Sequence, residues 1–351
     1  MSNGRDIVVV GASAGGIQAL LAMVHGLPAD FPGAVFVVVH TSPQAPSVLP
    51  HLLARAGQLP AKHAEHGEPI VAGRIYVAPP DQHLLVRPGY VELRHGPREN
   101  HSRPAVDPLF RSASRAYGPR VTGVVLSGAL GDGSAGLLSI KARGGIAIVQ
   151  DPSEAIVEGM PRSALRLVDV DCTLPAAKIA PALVHFANEP ISARGDAAMS
   201  DPDEQAEETI RTDIAEQADD RRHNELTLFT CPDCGGSMWQ VDEGPLLRFR
   251  CHVGHAFGPE ALLNLKSDEL EAALWTCVRL LTEKATLTRQ LATRTTMSGN
   301  GRRAKRVEEQ AELDEQHARV IRELLESMPN PVGQATAVTM ALEEGNGGGH
   351  P

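Results

Sequence analysis

Between residues 6 and 186 the apolar positions come in short unbroken runs separated by stretches of helical spacing. Ile7-Val8-Val9-Val10, Ala34-Val35-Phe36-Val37-Val38-Val39, Val121-Thr122-Gly123-Val124-Val125-Leu126 and Ile146-Ala147-Ile148-Val149 are the clearest runs. They are too short for helices and lack polar alternation, so they predict strands buried on both faces. Segments 17–24, 46–56, 107–117, 137–141 and 159–165 predict helices, the third with Asp107 as N-cap and Pro108 at the first helical position. Residues 74–78 predict a strand, and 84–86 and 90–93 flank Arg87-Pro88-Gly89 as a hairpin. Alternating strands and helices predict an α/β fold, a doubly wound and mainly parallel, Rossmann-like sheet, over residues 1–188.

Beyond residue 188 the pattern changes. Residues 189–225 are polar and mostly acidic and predict a solvated linker. Strand-like segments 237–241 and 246–250 turn at Asp242-Glu243-Gly244-Pro245 within a small module spanning 226–258. From Pro259, Leu262, Leu263, Leu270, Leu274, Val278, Leu281, Leu287 and Leu291 recur at helical spacing. After Gly299-Asn300-Gly301 a charged amphipathic segment follows, so 259–329 predicts a helical hairpin. It reads equally as a lid on the small module and as an element for self-association or docking of a signalling partner. Residues 330–351 predict a disordered tail.

Composition narrows the function classes. The chain has 351 residues, 42% of them hydrophobic, enough for more than one compact unit. Aromatics are only 3% and the net charge is −10, which disfavours nucleic-acid binding. No apolar stretch approaches the roughly 20 residues of a membrane span, so no membrane insertion is expected. Met1-Ser2-Asn3-Gly4-Arg5 runs straight into a strand, so no signal peptide is expected and the predicted location is cytoplasmic. Three of the five cysteines cluster, which does not suit a disulfide framework.

The chemistry concentrates at strand ends. Gly11-Ala12-Ser13-Ala14-Gly15 follows the first run and precedes a helix, the G-x-S-x-G layout of a nucleophile elbow. The same glycines suit a pyrophosphate-binding turn. The second run ends in His40, where a nicotinamide-binding fold usually needs an acid. Histidine suits a general base beside Ser13 instead. After the third run, Gly128-Ala129-Leu130-Gly131-Asp132-Gly133 surrounds one acid with glycines. In a parallel sheet the carboxyl ends of the strands share one edge, so Ser13, His40 and Asp132 can converge as a catalytic triad.

Residues 6 to about 186 resemble the catalytic domain of CheB-type chemotaxis methylesterases. The resemblance rests on Val10–Gly16, the strand ending in His40, Tyr76-Val77-Ala78-Pro79, Arg103-Pro104-Ala105-Val106-Asp107, Ser127–Gly136 and Gly159-Met160-Pro161. It does not include the receiver domain of the chemotaxis enzyme. Ala14 and Ala129 stand where the family often has threonine and methionine. The resemblance implies a protein-glutamate methylesterase without a catalytic cofactor, with Ser13 as nucleophile, His40 as base and Asp132 as orienter. The implied substrate is a methylated chemoreceptor-type protein, and in some relatives glutamine deamidation accompanies the esterase. The alternatives are a non-catalytic signalling scaffold that kept the fold and a small-molecule carboxylesterase. Backbone N–H groups near Ala14 or Ala129 are the expected oxyanion donors. Arg103 is either a substrate-groove residue or ordinary loop packing, and His63, His66, His83, His95 and His101 read as surface or loop residues.

The cysteine cluster carries a second site. Cys231-Pro232-Asp233-Cys234, a strand pair, then Cys251-His252-Val253-Gly254-His255 has the spacing of a zinc ribbon. The predicted ligands are Cys231, Cys234, Cys251 and, in preference to His252, His255, because a three-residue gap closes a loop around one ion. Four protein ligands predict a structural zinc with no catalytic role. The acidic linker predicts that the ribbon and the esterase domain act independently.

Overall fold

The computed structural model describes residues 4–41, 47–191, 225–243, 246–297 and 301–328. The predicted linker and tail fall almost wholly outside them. The chain divides into two compact units, 1–261 and 262–351.

The first unit is built on a seven-stranded sheet of β1 (Ile7–Ala12), β2 (Ala34–Val39), β3 (Ala61–His63), β4 (Ile75–Val77), β7 (Val121–Val125), β8 (Ile146–Gln150) and β9 (Cys172–Leu174). Its order is β3-β4-β2-β1-β7-β8-β9 and every neighbouring pair is parallel. The hairpin β5 (His83–Arg87) and β6 (Tyr90–Arg94) forms a separate two-stranded sheet. Successive residues of β1 serve opposite faces, with Val8 and Val10 in one core and Ile7 and Val9 in the other. Helices α1 (Gly16–His25), α2 (Leu49–Ala56) and α6 (Ala176–Asn188) cover the first face. Helices α3 (Val106–Tyr117), α4 (Ser134–Ala142) and α5 (Gly159–Leu167) cover the second. Burial on both faces explains the unbroken apolar runs.

From β1 the chain moves to β2 on one side, and later to β7 on the other. This change of direction opens a crevice at the carboxyl ends of β1, β2 and β7.

The segment after residue 224 forms a four-stranded antiparallel sheet, β10 (Glu225–Thr230), β11 (Ser237–Glu243), β12 (Leu246–Cys251) and β13 (Ala256–Phe257). Contrary to the expectation of an independent ribbon, this sheet is packed into the first unit. Ala256 bridges in parallel to Glu99, and Ala256 N–H donates to the Arg98 carbonyl at 3.3 Å.

The second unit contains most of α7 (Pro259–Met297) and all of α8 (Gly301–Ser327). Its buried positions coincide with the expected stripe only at Leu262 and Val278. Val278, Ala285 and Ala292 on α7 and Ala304, Ala311, Ala318 and Leu325 on α8 are buried at seven-residue intervals. Leu270, Leu287 and Leu291 are about half exposed. Arg289 pairs with Glu308 and Glu315, and Lys284 with Asp314. Among the described residues no helix is long and apolar enough to cross a membrane.

Candidate active site

Strand register brings the first two residues together. Ala12 faces Val39, so Ser13 and His40 are the next positions of adjacent parallel strands. His40 N–H donates to the Ala12 carbonyl at 3.2 Å, and Ser13 N–H donates to Ser127 O at 2.9 Å. Gly15 adopts φ +72°, a left-handed conformation that suits glycine, so the chain turns sharply into α1. At Gly128 a Cβ would collide with Met160 Sδ and lie 2.8 Å from Ser13 Cβ. The acid loop therefore passes directly against the serine.

His40 Nε2 and Asp132 Oδ2 are 2.7 Å apart. A carboxylate partner places the proton on Nε2, which leaves Nδ1 as the acceptor for a hydroxyl. Among the described residues no hydrogen bond joins Ser13 to His40. Such bonds commonly close only with substrate present.

Asp132 is buried and fully engaged. Besides His40, Oδ2 accepts Val106 N–H at 2.7 Å; Oδ1 accepts Asp107 N–H and Asn100 Nδ2, both at 3.1 Å. The two amides open α3, so the carboxylate occupies a helix N-terminus where backbone dipoles favour negative charge. Burial works against its ionisation, but the His40 bond and charge and these amides outweigh it and hold Asp132 below the usual carboxylate range. The Arg103–Asp107 motif thus matters for its backbone as much as its side chains.

Asp107 does not cap its own helix; the N-cap of α3 is Ala105, with no side-chain bond. Its Oδ1 instead accepts Gly133 N–H at 3.1 Å and Gly136 N–H at 2.7 Å at the start of α4. Burial, then the charge of Asp132, pushes Asp107 up from its ordinary value.

Sequence reasoning missed the polar support behind this pair. Glu99 bonds Arg111 at 2.5 Å and Arg248 of β12 at 2.8 Å, and Arg248 lies 3.7 Å from Asp107. Burial opposes the charge on Glu99, yet Arg111 and Arg248 hold it well below the carboxylate range. The available signal was the unusual placement of Arg248 inside an apolar strand. Arg103 is occupied structurally, bonding Asp81 Oδ1 at 2.7 Å and Gly96 O at 2.6 Å. His83 is buried rather than a surface residue; its Nε2 meets Pro97 O at 2.9 Å and its Nδ1 accepts Ala105 N–H at 3.3 Å.

The second cluster brings Cys231, Cys234, Cys251 and His255 together, with all ligand atoms within 4.8 Å of one another. Cys234 and Cys251 Sγ are 3.7 Å apart, and His255 Nδ1 is 3.6 Å from Cys231 Sγ and 3.5 Å from Cys251 Sγ. A tetrahedron with Zn–S of about 2.3 Å and Zn–N of about 2.0–2.1 Å has S···S edges near 3.8 Å and S···N edges near 3.6 Å. The donor set and its spacing therefore fit one tetrahedral zinc. His252 is exposed and outside the group.

Fold and site together define an α/β protein with a histidine–carboxylate pair beside a serine turn. The CheB methylesterase family model matches residues 8–183, and the chain belongs to that family. Protein-glutamate methylesterase/protein-glutamine glutaminase 2 of Anaeromyxobacter dehalogenans is 43% identical over 178 residues, 51% of this chain and 52% of that protein. The chain thus spans about half the length of that curated relative. A relative in Leptospira interrogans is 40% identical over 176 residues, 50% of this chain and 91% of that one. The crystal structure of the Thermotoga maritima CheB methylesterase catalytic domain aligns with TM-score 0.50 and 35% identity, covering 51% of this chain and 97% of that one.

Proposed function

We propose that the chain is a protein-glutamate methylesterase acting on glutamate methyl esters of chemoreceptor-type proteins. The observation that carries this reading is the 2.7 Å His40–Asp132 bond at the strand position next to Ser13.

Ser13 Oγ attacks the ester carbonyl carbon while His40 Nδ1 takes the hydroxyl proton. Asp132 keeps its charge, holds the imidazole by Nε2–H and stabilises the imidazolium. The N–H groups of Ala14 and Ala129 are the candidate donors to the oxyanion. The tetrahedral intermediate then breaks its C–O bond to the methoxy group, which leaves as methanol with the proton from His40. Water, activated by His40, hydrolyses the Ser13 acyl ester and releases the glutamate carboxylate. The same attack on a glutamine side chain releases ammonia, so deamidation belongs to the reading.

The Cys/His cluster is read as a structural zinc site, since four protein ligands leave no open position. Three cysteines gathered with a histidine as metal ligands, and not as a disulfide framework, support a cytoplasmic location. The exposed Leu270, Leu287 and Leu291 support self-association or docking of a signalling partner through the helical hairpin.

The test is methanol release from methylated receptor by the purified full chain, run beside a small methyl ester. Release from the receptor is the expected result. Turnover of the small ester alone would make the chain a small-molecule carboxylesterase, and no release from either would remove the esterase reading.

A further inference from the structure

The Cys/His ribbon contacts the loop that supports Asp132 through both backbone and side chains. In the backbone, Asn100 N–H donates to Ala256 O at 2.8 Å. In the side chains, His101 Nδ1 and Asp233 Oδ1 are 2.6 Å apart, and Arg248 reaches Glu99 at 2.8 Å. Between them Asn100 bridges the two parts: Gly258 N–H donates to its Oδ1 at 3.0 Å, and its Nδ2 donates to Asp132 Oδ1 at 3.1 Å.

We propose that the ribbon is an internal clamp, with Asn100 and Arg248 as positioning residues that hold Asp132 in register with His40. The proposal rests on the esterase reading above. The Gly258 N–H can only donate, so it selects the amide orientation in which Asn100 presents its own NH₂ to Asp132. Asn100 and His101 have φ of +49° and +64°, a left-handed conformation that costs non-glycine residues energy. The ribbon's bonds to both residues hold that conformation. Arg248, buried at 4% exposure, keeps Glu99 and Asp107 compatible beside a third buried carboxylate.

The clamp is tied to the metal ligands by chain connectivity. Cys251 ends β12 three residues after Arg248, and His255 immediately precedes the Ala256–Gly258 segment that grips Asn100. So small a sheet has little core of its own, so bound zinc would supply much of its folding energy. Zinc occupancy thereby sets the order of the Asn100 loop and, through it, the orientation of Asp132.

The experiment compares zinc-loaded full chain, chelated full chain and Asn100→Gly, a change that tolerates the left-handed backbone but lacks the amide. Zinc content, amide hydrogen exchange over residues 98–107, and kcat and KM on a small methyl ester against pH are measured. Chelation is expected to speed exchange at 98–107 while leaving the amides of β1 and β2 protected. It should also lower kcat by roughly ten- to hundredfold, the scale of one lost hydrogen bond to a buried charge, with KM unchanged, and added zinc should restore both. Asn100→Gly should keep its zinc, lose kcat to a similar degree, and show an acidic limb moved to higher pH, because Asp132 loses a donor. A merely structural residue would change the folded fraction and leave the limb in place. A full chain that binds no zinc, or a zinc-free chain with unchanged exchange at 98–107, overturns the proposal. If chelation unfolds the whole chain, Asn100→Gly decides, and wild-type kcat and pH profile in it overturn the proposal. If the loaded wild type hydrolyses no ester, the esterase reading fails separately and exchange alone decides the clamp.

Discussion

Asp107 and Asp132 cap each other's helices. Asp132 accepts the Val106 and Asp107 amides that open α3, and Asp107 accepts the Gly133 and Gly136 amides at the start of α4. The two buried carboxylates repel, the charge of Asp132 adding to burial in pushing Asp107 up, and the positive helix end at which each sits works against that repulsion. The pair locks the acid loop between α3 and α4 and thereby fixes the carboxylate that meets His40.

Asp107→Ala removes the cap of α4 and one acidic neighbour of Arg248. A lost N-terminal cap costs about 0.5–2 kcal/mol, and the weakened pairing of a buried arginine adds to it. Chemical denaturation should therefore show a clear fall in stability, and ester turnover should fall more than the folded fraction does. Asp107→Asn keeps an acceptor for the two amides and should lie between the wild type and the alanine variant. Equal stability of all three proteins would contradict the reciprocal capping.

Glu99 makes stability depend on pH. Its folded-state pKa lies well below the ordinary 4.5, because Arg111 and Arg248 outweigh the cost of burial. The unfolded chain therefore binds the proton first as pH falls, and this contribution, complete above the ordinary value, is lost on acidification. Glu99→Gln leaves two arginines poorly paired and should destabilise by about 3 kcal/mol at neutral pH, the scale of a broken buried ion pair. Denaturation midpoints measured from pH 7 down to pH 3 should show the gap between variant and wild type closing as pH falls. A gap that stays constant would mean that Glu99 is not the titrating group.

Gly128 allows the acid loop to pass against the nucleophile turn. The added methyl of Gly128→Ala would meet Met160 Sδ and Ser13 Cβ. Overpacking of this kind costs roughly 1–3 kcal/mol, and here it also moves the serine. Turnover should fall steeply while substrate affinity changes little. Shortening the obstructing side chain with Met160→Ala in the same protein should recover part of the loss. Full activity in the single variant would show that the loop has room that the structure denies.

Much of this was readable from the sequence because strands buried on both faces leave an unmistakable apolar run. β2 matches its predicted range residue for residue, and the strand-end positions of Ser13 and His40 followed from the parallel arrangement. The ligand spacing likewise singled out His255 over His252, and His255 is the one grouped with the three sulfurs. Other features left no local signal. β3 and β9 are three residues each, and α6 carries Pro181 in its interior, which obscures its helical pattern. The helix that Asp107 caps lies 26 residues away, and that partnership exists only in three dimensions. The leucine spacing of α7 met the buried positions only at Leu262 and Val278, because the other apolar positions buried on that helix are alanines that any exposed helix could carry. The docking of the ribbon was hidden by the acidic linker, whose composition says nothing about where the chain returns.

The most direct measurement is methanol release from methylated receptor by Ser13→Ala, compared with the wild type at equal folded concentration. The substitution removes one oxygen from a half-buried turn and should leave the fold intact. Loss of a nucleophile that works as a unit with its base costs on the order of 10⁴-fold or more in turnover, so release should fall to background. Turnover within a few fold of wild type would contradict the account, because Ser13 would then not be the attacking group.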